Sequence, residues 1–383
     1  MSYFDNNATT PIHPLALDVL TQSYEDDWSN PSSPYRQSSR TKAKLNKARF
    51  EWAQLFGSKE GDVIFTSGAT EANNMVIASA ARNHSDQARI LISGIEHPSI
   101  SIPAKHCFQD RVDVLAMEPR GLVCLASLQE KFERGLLPVL VCVMAANNET
   151  GVVQPWCEVA RICEQYQVPF HCDATQWVGK MPIFALHQAF SFTASAHKFG
   201  GPKGVGWLVD KGESSWQVGG NQEGGKRAGT ENFPAIASMI KAWHECDTLL
   251  QEVKAEDRAP WRNNMEEKVC SHVPGTQVIG QGMQRLWNTS LLLMPKFDNL
   301  RWIAKLDALG FEVSTGSACS TGSDEPSSTA QAFSLAPQET KRLVRISSYL
   351  SHTQADWNNL GDALIQAYHQ LLEDAKDSNV ISI

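Results

Sequence analysis

The chain has 383 residues, is 42% hydrophobic and 20% charged, and carries a formal net charge of −8 from 34 lysines and arginines against 42 aspartates and glutamates. That is the composition of a soluble globular protein of two domains, or of one large domain with a smaller companion, and the lack of any basic block excludes nucleic acid and anionic membranes as expected partners. Nine cysteines without a CxxC pair predict neither a disulfide framework nor a zinc knuckle, so no metal site is expected.

The first residues, MSYFDNNATTPIHP, have no basic run ahead of an apolar stretch, and no later segment is long and apolar enough to cross a bilayer. The chain therefore reads as cytoplasmic. From about residue 40 to 250, strand-like and helix-like segments alternate at the spacing of βα units, which predicts a mostly parallel sheet covered by helices. The expected strands are Val63 to Phe65, Arg89 to Ile92, Val139 to Met144, Val168 to Cys172, Ala189 to Thr193 and Val205 to Val209. Val159, Ile162, Cys163 and Tyr166 recur three and four apart, as the buried face of a helix requires. In such sheets ligands sit beyond the carboxyl ends of the strands, and here the polar motifs follow the strands.

The first motif is VIFTSGATEANN, in which Ser67, Gly68, Ala69 and Thr70 stand where a helix begins. Free N–H groups and the positive end of the helix dipole suit a phosphate there, although the same residues serve as a plain capping sequence. In GIEHPS, Pro98 keeps His97 out of helical geometry, so its imidazole either stacks on a flat cofactor and moves protons or is merely exposed. AANNETG follows the next strand, where Asn147 and Asn148 point amides into the cleft or make an Asx turn before Gly151.

VPFHCDATQWVGK places Asp173 directly after an apolar strand, where a carboxylate is costly unless paired. A protonated pyridine nitrogen is such a partner, and Gln176 is placed to reach the ring's phenolic oxygen; an N-cap or a metal ligand are the alternatives. SFTASAHKFGGPKGVG puts Lys198 at a strand-to-turn corner beside His197, Phe199 and glycines that let backbone approach a ligand. A partly desolvated lysine near another cation favours the neutral amine, which condenses with a carbonyl; a lysine on a surface turn is the alternative. Together these parts compose a pyridoxal phosphate site.

Further on, GGNQEGGKRAGTEN offers Lys226, Arg227 and Thr230 as phosphate or carboxylate contacts, or is simply a surface loop. Residues from about 250 to 280 read as polar helix broken at Pro260 and Pro274, followed by a second α+β region with a strand at Asn288 to Met294 and a helix at Phe297 to Leu309. Cys319, in STGSACSTGSDEPSS, has small hydroxylated neighbours that suit a mobile, accessible thiol, or a tolerated surface cysteine. Arg345 lies within the apolar run LVRISS and needs an anionic partner; a substrate carboxylate would take its two-pronged hydrogen bonds. The last helix opens at Thr353 with Asp356 three residues on, and Trp357, Leu360, Leu364, Tyr368 and Leu371 form one stripe that reads as packing.

DNNATTP, TSGATEANN, EHPS, NNETG, DATQ, SAHKFGGPKG, RAGTEN and GSAC, in this order from about residue 3 to 350, resemble the cysteine desulfurases of the NifS/IscS type, within the class V aminotransferase group of fold-type I PLP enzymes. The resemblance implies a homodimer. Residues 14 to 256 would be a large PLP domain with a mostly parallel seven-stranded sheet, and residues 1 to 13 with 257 to 383 a smaller α+β domain carrying the mobile Cys319 loop. It makes Lys198 the lysine that carries pyridoxal 5'-phosphate, His97 the ring-stacking and proton-transferring residue, Asp173 the partner of the pyridinium and Gln176 the contact to the phenolic oxygen. Ala69, Thr70, Ser195 and His197 would hold the phosphate with Thr230 of the other subunit, Asn148 would contact the cofactor and, with Arg345, the substrate carboxylate, and Cys319 would be the nucleophile. L-Cysteine would then yield L-alanine and a persulfide on Cys319, for transfer to an acceptor protein in iron-sulfur cluster assembly or another sulfur pathway.

Two positions depart from the family pattern, since Gly224 and Tyr349 stand where arginines are common. Both changes remove positive charge near the cleft, which bears on the acceptor more than on the core chemistry. The competing readings are another class V PLP enzyme, either a selenocysteine lyase or an aminotransferase, and a non-enzymatic metal or sulfur carrier using Cys157, Cys163, Cys172 and Cys319.

Overall fold

The computed structural model describes residues 1–316 and 327–380, with side chains as far as 376; Cys319 lies outside the described residues. Its centre is a seven-stranded sheet in the spatial order Val63–Thr66, Gly206–Asp210, Ser191–Ser195, Phe170–Asp173, Leu140–Cys142, Ile90–Ser93 and Val112–Leu115. Gly206–Asp210 runs antiparallel to both neighbours and every other pairing is parallel. The six expected strands are all present, shifted by one or two residues. Val112–Leu115 was not anticipated; as an edge strand it is only half covered, with Val114 59% exposed, and so lacks the continuous apolar run of a central strand.

Side-chain alternation along the strands feeds two apolar layers. Val63 and Phe65, Trp207 and Val209, and Phe170 and Cys172 point into one, while Ile64 and Leu208 point into the other. The first layer is rich in aromatic rings packed edge to face, with Trp52 and Trp207 centroids 4.7 Å apart at 83°. The second is covered by helices Ala69–Arg82 and Pro98–Phe108. On strand Phe170–Asp173 the residues facing away from the aromatic layer are His171 and Asp173, both buried. Two polar side chains thus stand on an otherwise apolar face, and the site is built around them.

A four-stranded antiparallel sheet, in the order Ser314–Thr315, Leu343–Ser347, Thr289–Leu293 and Gln277–Val278, packs with helices Ala255–His272, Asn299–Ala308 and Gln354–Val380 around a separate core. The stripe on the last helix lies in that core, with Trp357, Leu360, Leu364 and Leu371 at most 1% exposed. Thr353 and Asp356 cap that helix reciprocally, the Thr353 N–H donating to the Asp356 carboxylate at 2.7 Å and the Asp356 N–H to the Thr353 hydroxyl at 3.4 Å. Pro274 follows the end of helix Ala255–His272, but Pro260 does not break it. It sits in the second turn, where the only helical bond it removes is to the carbonyl of exposed Glu256, which water can satisfy.

The chain's first residues join this second core. Ser2–Tyr3 pairs in parallel with Phe311–Glu312, and Phe4 is fully buried. Residues 5–13 then cross to the large sheet, where the N–H groups of Thr10 and His13 donate to the carbonyls of His197 and Gly200, each at 2.8 Å.

Candidate active site

The polar motifs converge at the carboxyl ends of the central strands. At the start of helix Ala69–Arg82 a cavity of about 430 Å³ is lined by Ala8, Thr9, Ser67, Gly68, Thr70, Glu71, Ser195, His197, Lys203 and Gly204. The Ala69 N–H donates to Ser195 Oγ at 2.8 Å, while the first-turn N–H groups of Thr70 and Glu71 have no helical acceptor. A Cβ on Gly206 would lie 2.6 Å from Gly68 Cα, so glycine at 206 is what lets strand and helix start come together. His197 Nδ1 is 3.1 Å from Thr9 Oγ1, and burial, then the charges of Lys198, Lys203 and Lys180, push His197 down to about 4. Its imidazole is neutral beside this anion-accepting end.

Asp173, 7% exposed, accepts from Asn73 Nδ2 at 2.9 Å and from the Thr175 N–H at 3.0 Å. The second bond is the local, cap-like one that the sequence left open. Among the described residues no lysine, arginine or histidine forms an ion pair with Asp173. His97, at the start of helix Pro98–Phe108, is held through Nδ1 by the Ser99 N–H at 3.1 Å and Ser99 Oγ at 2.8 Å. Burial lowers its pKa, with Asp173 opposing and Lys198 reinforcing that shift.

Lys198 ends a short 3-10 turn, Ala196–Lys198, directly after strand Ser191–Ser195. Its Nζ donates to the carbonyls of Asn7 at 2.6 Å and Ala8 at 2.8 Å, so the amine is half-buried against the N-terminal segment and not on an open turn. Gln176 Nε2 donates to the same Asn7 carbonyl at 3.0 Å, and Lys180 Nζ donates to Gln176 Oε1 at 2.9 Å. Burial, then the charge of Lys198, push Lys180 down to about 7.

Arg345, 2% exposed, donates to Asp5 Oδ1 at 2.7 Å and to the Asn148 carbonyl at 3.3 Å. Asn147 makes the Asx turn, its Oδ1 accepting from the N–H groups of Glu149 at 3.0 Å and Thr150 at 2.9 Å, which leaves the half-buried Asn148 as the asparagine beside Arg345. Thr230 is exposed and lies outside the cavity lining, whereas Arg227 is paired with Glu71 at 2.8 Å and pins its loop to the helix start. Gly224 has a φ of +67° with open space around it. Tyr349 donates to the Phe199 carbonyl at 3.1 Å and lies where a Cβ on Gly200 would come within 2.7 Å, packing against the Lys198 corner.

Several side chains of the site were not singled out from the sequence. Asn73, Ser99 and His171 link Asp173 to His97, and only the two-residue spacing of His171 and Asp173 on a buried strand hinted at a shared face. Glu96, in the motif already quoted for His97, is pushed up to about 8 by burial. Of the cysteines weighed as ligands, Cys163 and Cys172 are buried with their thiols pushed well up, Cys163 to about 12. Among the described residues no three His, Cys, Asp or Glu side chains cluster as a metal site. Nor, among them, is any helix long and apolar enough to cross a membrane.

A seven-stranded, mostly parallel sheet with a lysine corner, a buried carboxylate and an open helix start at its carboxyl edge is the arrangement of the aminotransferase class-V family. The pattern of that family matches residues 2–360, and the chain belongs to it. Relatives named as cysteine desulfurases match it over nearly its whole length. The "Cysteine desulfurase IscS" of Dictyoglomus turgidum is 32% identical over 377 residues, 96% of this chain and 95% of that protein. The "Cysteine desulfurase" of Klebsiella pneumoniae is 33% identical over 368 residues, 93% of this chain and 90% of that protein. Among solved structures, a "NifS-like protein" superposes with a TM-score of 0.86 at 28% identity, covering 96% of this chain and 99% of its own. "SspA in complex with cysteine" does so with 0.78 at 25% identity, covering 91% and 98%.

Proposed function

We propose that this protein is a pyridoxal 5'-phosphate-dependent cysteine desulfurase that converts L-cysteine to L-alanine and leaves the sulfur as a persulfide on Cys319. The observation that carries the reading is Asp173, a buried carboxylate with no cationic side chain paired to it among the described residues, at the same carboxyl edge of the sheet as Lys198 and an open helix start. These groups fit the cofactor's chemistry. The first-turn N–H groups with Thr70, Ser195 and His197 would hold its phosphate, Asp173 its ring nitrogen, Gln176 its phenolic oxygen, His97 its ring face and Lys198 its aldehyde carbon. When bound, the cofactor supplies an electron-withdrawing ring that stabilises negative charge at the substrate's Cα.

The chain's own side chains do the rest. Arg345, with Asn148 beside it, receives the substrate carboxylate through charge-assisted hydrogen bonds, sharing its guanidinium with Asp5. The Lys198 amine would receive the substrate's Cα proton at Nζ. His97 holds a proton at Nε2 and donates a hydrogen bond from it. The Cys319 thiolate attacks the substrate sulfur, the carbon–sulfur bond breaks, and the sulfur passes to Cys319, so that one cysteine and one thiol give one alanine and one persulfide.

The same reading supplies the finer proposals: a homodimer in which Thr230 completes the phosphate contacts of the other subunit, domains of residues 14–256 and of 1–13 with 257–383, a cytoplasmic location, and a sulfur-acceptor protein. The test is incubation of the purified full chain with L-cysteine, quantifying alanine and sulfide and locating added sulfur by mass spectrometry. Equimolar alanine and sulfide in the presence of a thiol reductant, a mass gain of one sulfur on Cys319, and loss of both in Cys319→Ala are expected. An unchanged turnover in Cys319→Ala, or amino-group transfer to a keto acid as the main reaction, would replace this reading by an aminotransferase.

A further inference from the structure

We infer that Asn73 is a positioning residue: its amide, oriented by His171, holds Asp173 directly and, through Ser99, holds His97 as the tautomer with its proton on Nε2. The inference rests on the function proposed above only in giving Asp173 and His97 their tasks toward the cofactor; the hydrogen-bond network itself stands on geometry.

Each bond direction in the network follows from a neighbour that has no choice. A carboxylate accepts, so the Asn73 atom 2.9 Å from Asp173 Oδ2 is the amide nitrogen; the opposite orientation would set oxygen against oxygen. The same nitrogen lies 2.9 Å from Ser99 Oγ and gives it a second proton. Asn73 Oδ1 is then an acceptor, and His171 Nε2, 2.8 Å away, must carry a proton. With that proton on Nε2, the neutral ring of His171 accepts through Nδ1 from the Ser191 hydroxyl at 2.8 Å.

At the other end the Ser99 backbone N–H can only donate, so His97 Nδ1 is an acceptor, and the Ser99 hydroxyl, 2.8 Å from the same nitrogen and already receiving a proton from Asn73, also donates to it. The chain of donors runs one way, from Ser191 through His171 and Asn73 to Asp173 and to Ser99 and His97. Reversal is blocked at one end by a carboxylate and at the other by a backbone N–H. Asn73, His171 and Ser191 are fully buried and Ser99 and Asp173 are 7% exposed, so water cannot replace a lost partner.

The test uses the full chain, with and without bound pyridoxal phosphate, and nitrogen-15 histidine NMR with His97→Gln and His171→Gln to assign the two rings. Wild type is expected to show both histidines as single Nε2–H tautomers in either state. Asn73→Ala is expected to give His97 a second, Nδ1–H population, to shift the absorbance band of the bound cofactor, and to lower kcat by roughly tenfold or more while leaving KM for cysteine nearly unchanged. Ser99→Ala, which deletes one hydroxyl, is expected to disturb His97 without moving the absorbance band. His171→Gln keeps a donor for Asn73 and should restore what His171→Phe loses.

An Nδ1–H tautomer of His97 in wild type, an unchanged His97 spectrum in Asn73→Ala, or equal loss in His171→Gln and His171→Phe would overturn the inference. Intact tautomers in a protein without desulfurase activity would instead overturn the proposed function and leave the network standing.

Discussion

The two walls of the cleft are built in opposite ways. The inner wall, Asp173 with Asn73, Ser99, His97 and His171, comes from one strand and the two helices that cover it, and its bonds follow one direction from end to end. The facing wall is assembled from places remote in the chain: Asn7 Nδ2 donates to Thr289 Oγ1 at 2.9 Å, Asn6 Nδ2 to the Ser347 carbonyl at 3.0 Å, and Arg345 reaches back to Asp5 at 2.7 Å. Among the described residues that wall leaves buried polar atoms unpartnered, including Arg345 Nε and Asn6 Oδ1. The inner wall closes its own hydrogen-bond network and leaves the charge of Asp173 unpaired among the described residues, whereas the facing wall keeps hydrogen-bonding atoms in reserve.

The largest effect that would break this contrast is at the charged end of the inner wall. Asp173→Ala is expected to lower kcat by roughly 10² to 10³, the scale of losing one preorganised electrostatic contact in a buried site. Steady-state assays with L-cysteine measure it, and a change confined to KM would mean that Asp173 belongs with the substrate wall. On that wall Arg345→Ala should act the other way, raising KM by about 10- to 100-fold for the loss of hydrogen bonds to a charged group, with a smaller change in kcat. A KM that stays put would show that the carboxylate binds elsewhere.

Acid should weaken the inner wall. Burial, opposed by Asp173 and Asp210, pushes His171 from its ordinary value near 6.5 down to about 4, so between those values the unfolded chain binds a proton that the folded chain does not. Its contribution is therefore complete above pH 6.5 and falls as the pH drops toward 4, by on the order of 1 to 3 kcal/mol. Urea unfolding of wild type against His171→Gln across that window should show the steeper loss in wild type; parallel curves would mean His171 does not titrate this way. The smallest effect is at the substrate wall's edge. Asp5→Asn keeps a hydrogen-bond acceptor for Arg345 but removes the charge, and should cost about 1 kcal/mol of stability, read as a lower urea midpoint.

The motifs that touch the cofactor or the substrate in the proposed reading were legible because each breaks the local pattern: a carboxylate closing an apolar strand, a lysine at a glycine-rich corner, an arginine inside LVRISS. Strand existence was equally plain wherever a buried run of β-branched and aromatic residues occurred. The edge strand Val112–Leu115 and the helix running through Pro260 were not, because a half-covered strand carries a weak signal and a proline in the second turn of a helix reads as a break. Asn73 and Ser99 looked like ordinary helix residues.

What the chain order determined alone was the succession of elements, the order of the polar motifs and the side chain each offers, since these depend on neighbours a few residues apart. Only the tertiary structure decided which of them meet. The pairing of Arg345 with Asp5, the Lys198 amine against the Asn7 and Ala8 carbonyls, and the line from His171 to His97 each join residues brought together by sheet order and by the return of the N-terminal segment. A buried polar atom must find its partner in space, and nothing in the local sequence says which distant residue will supply it.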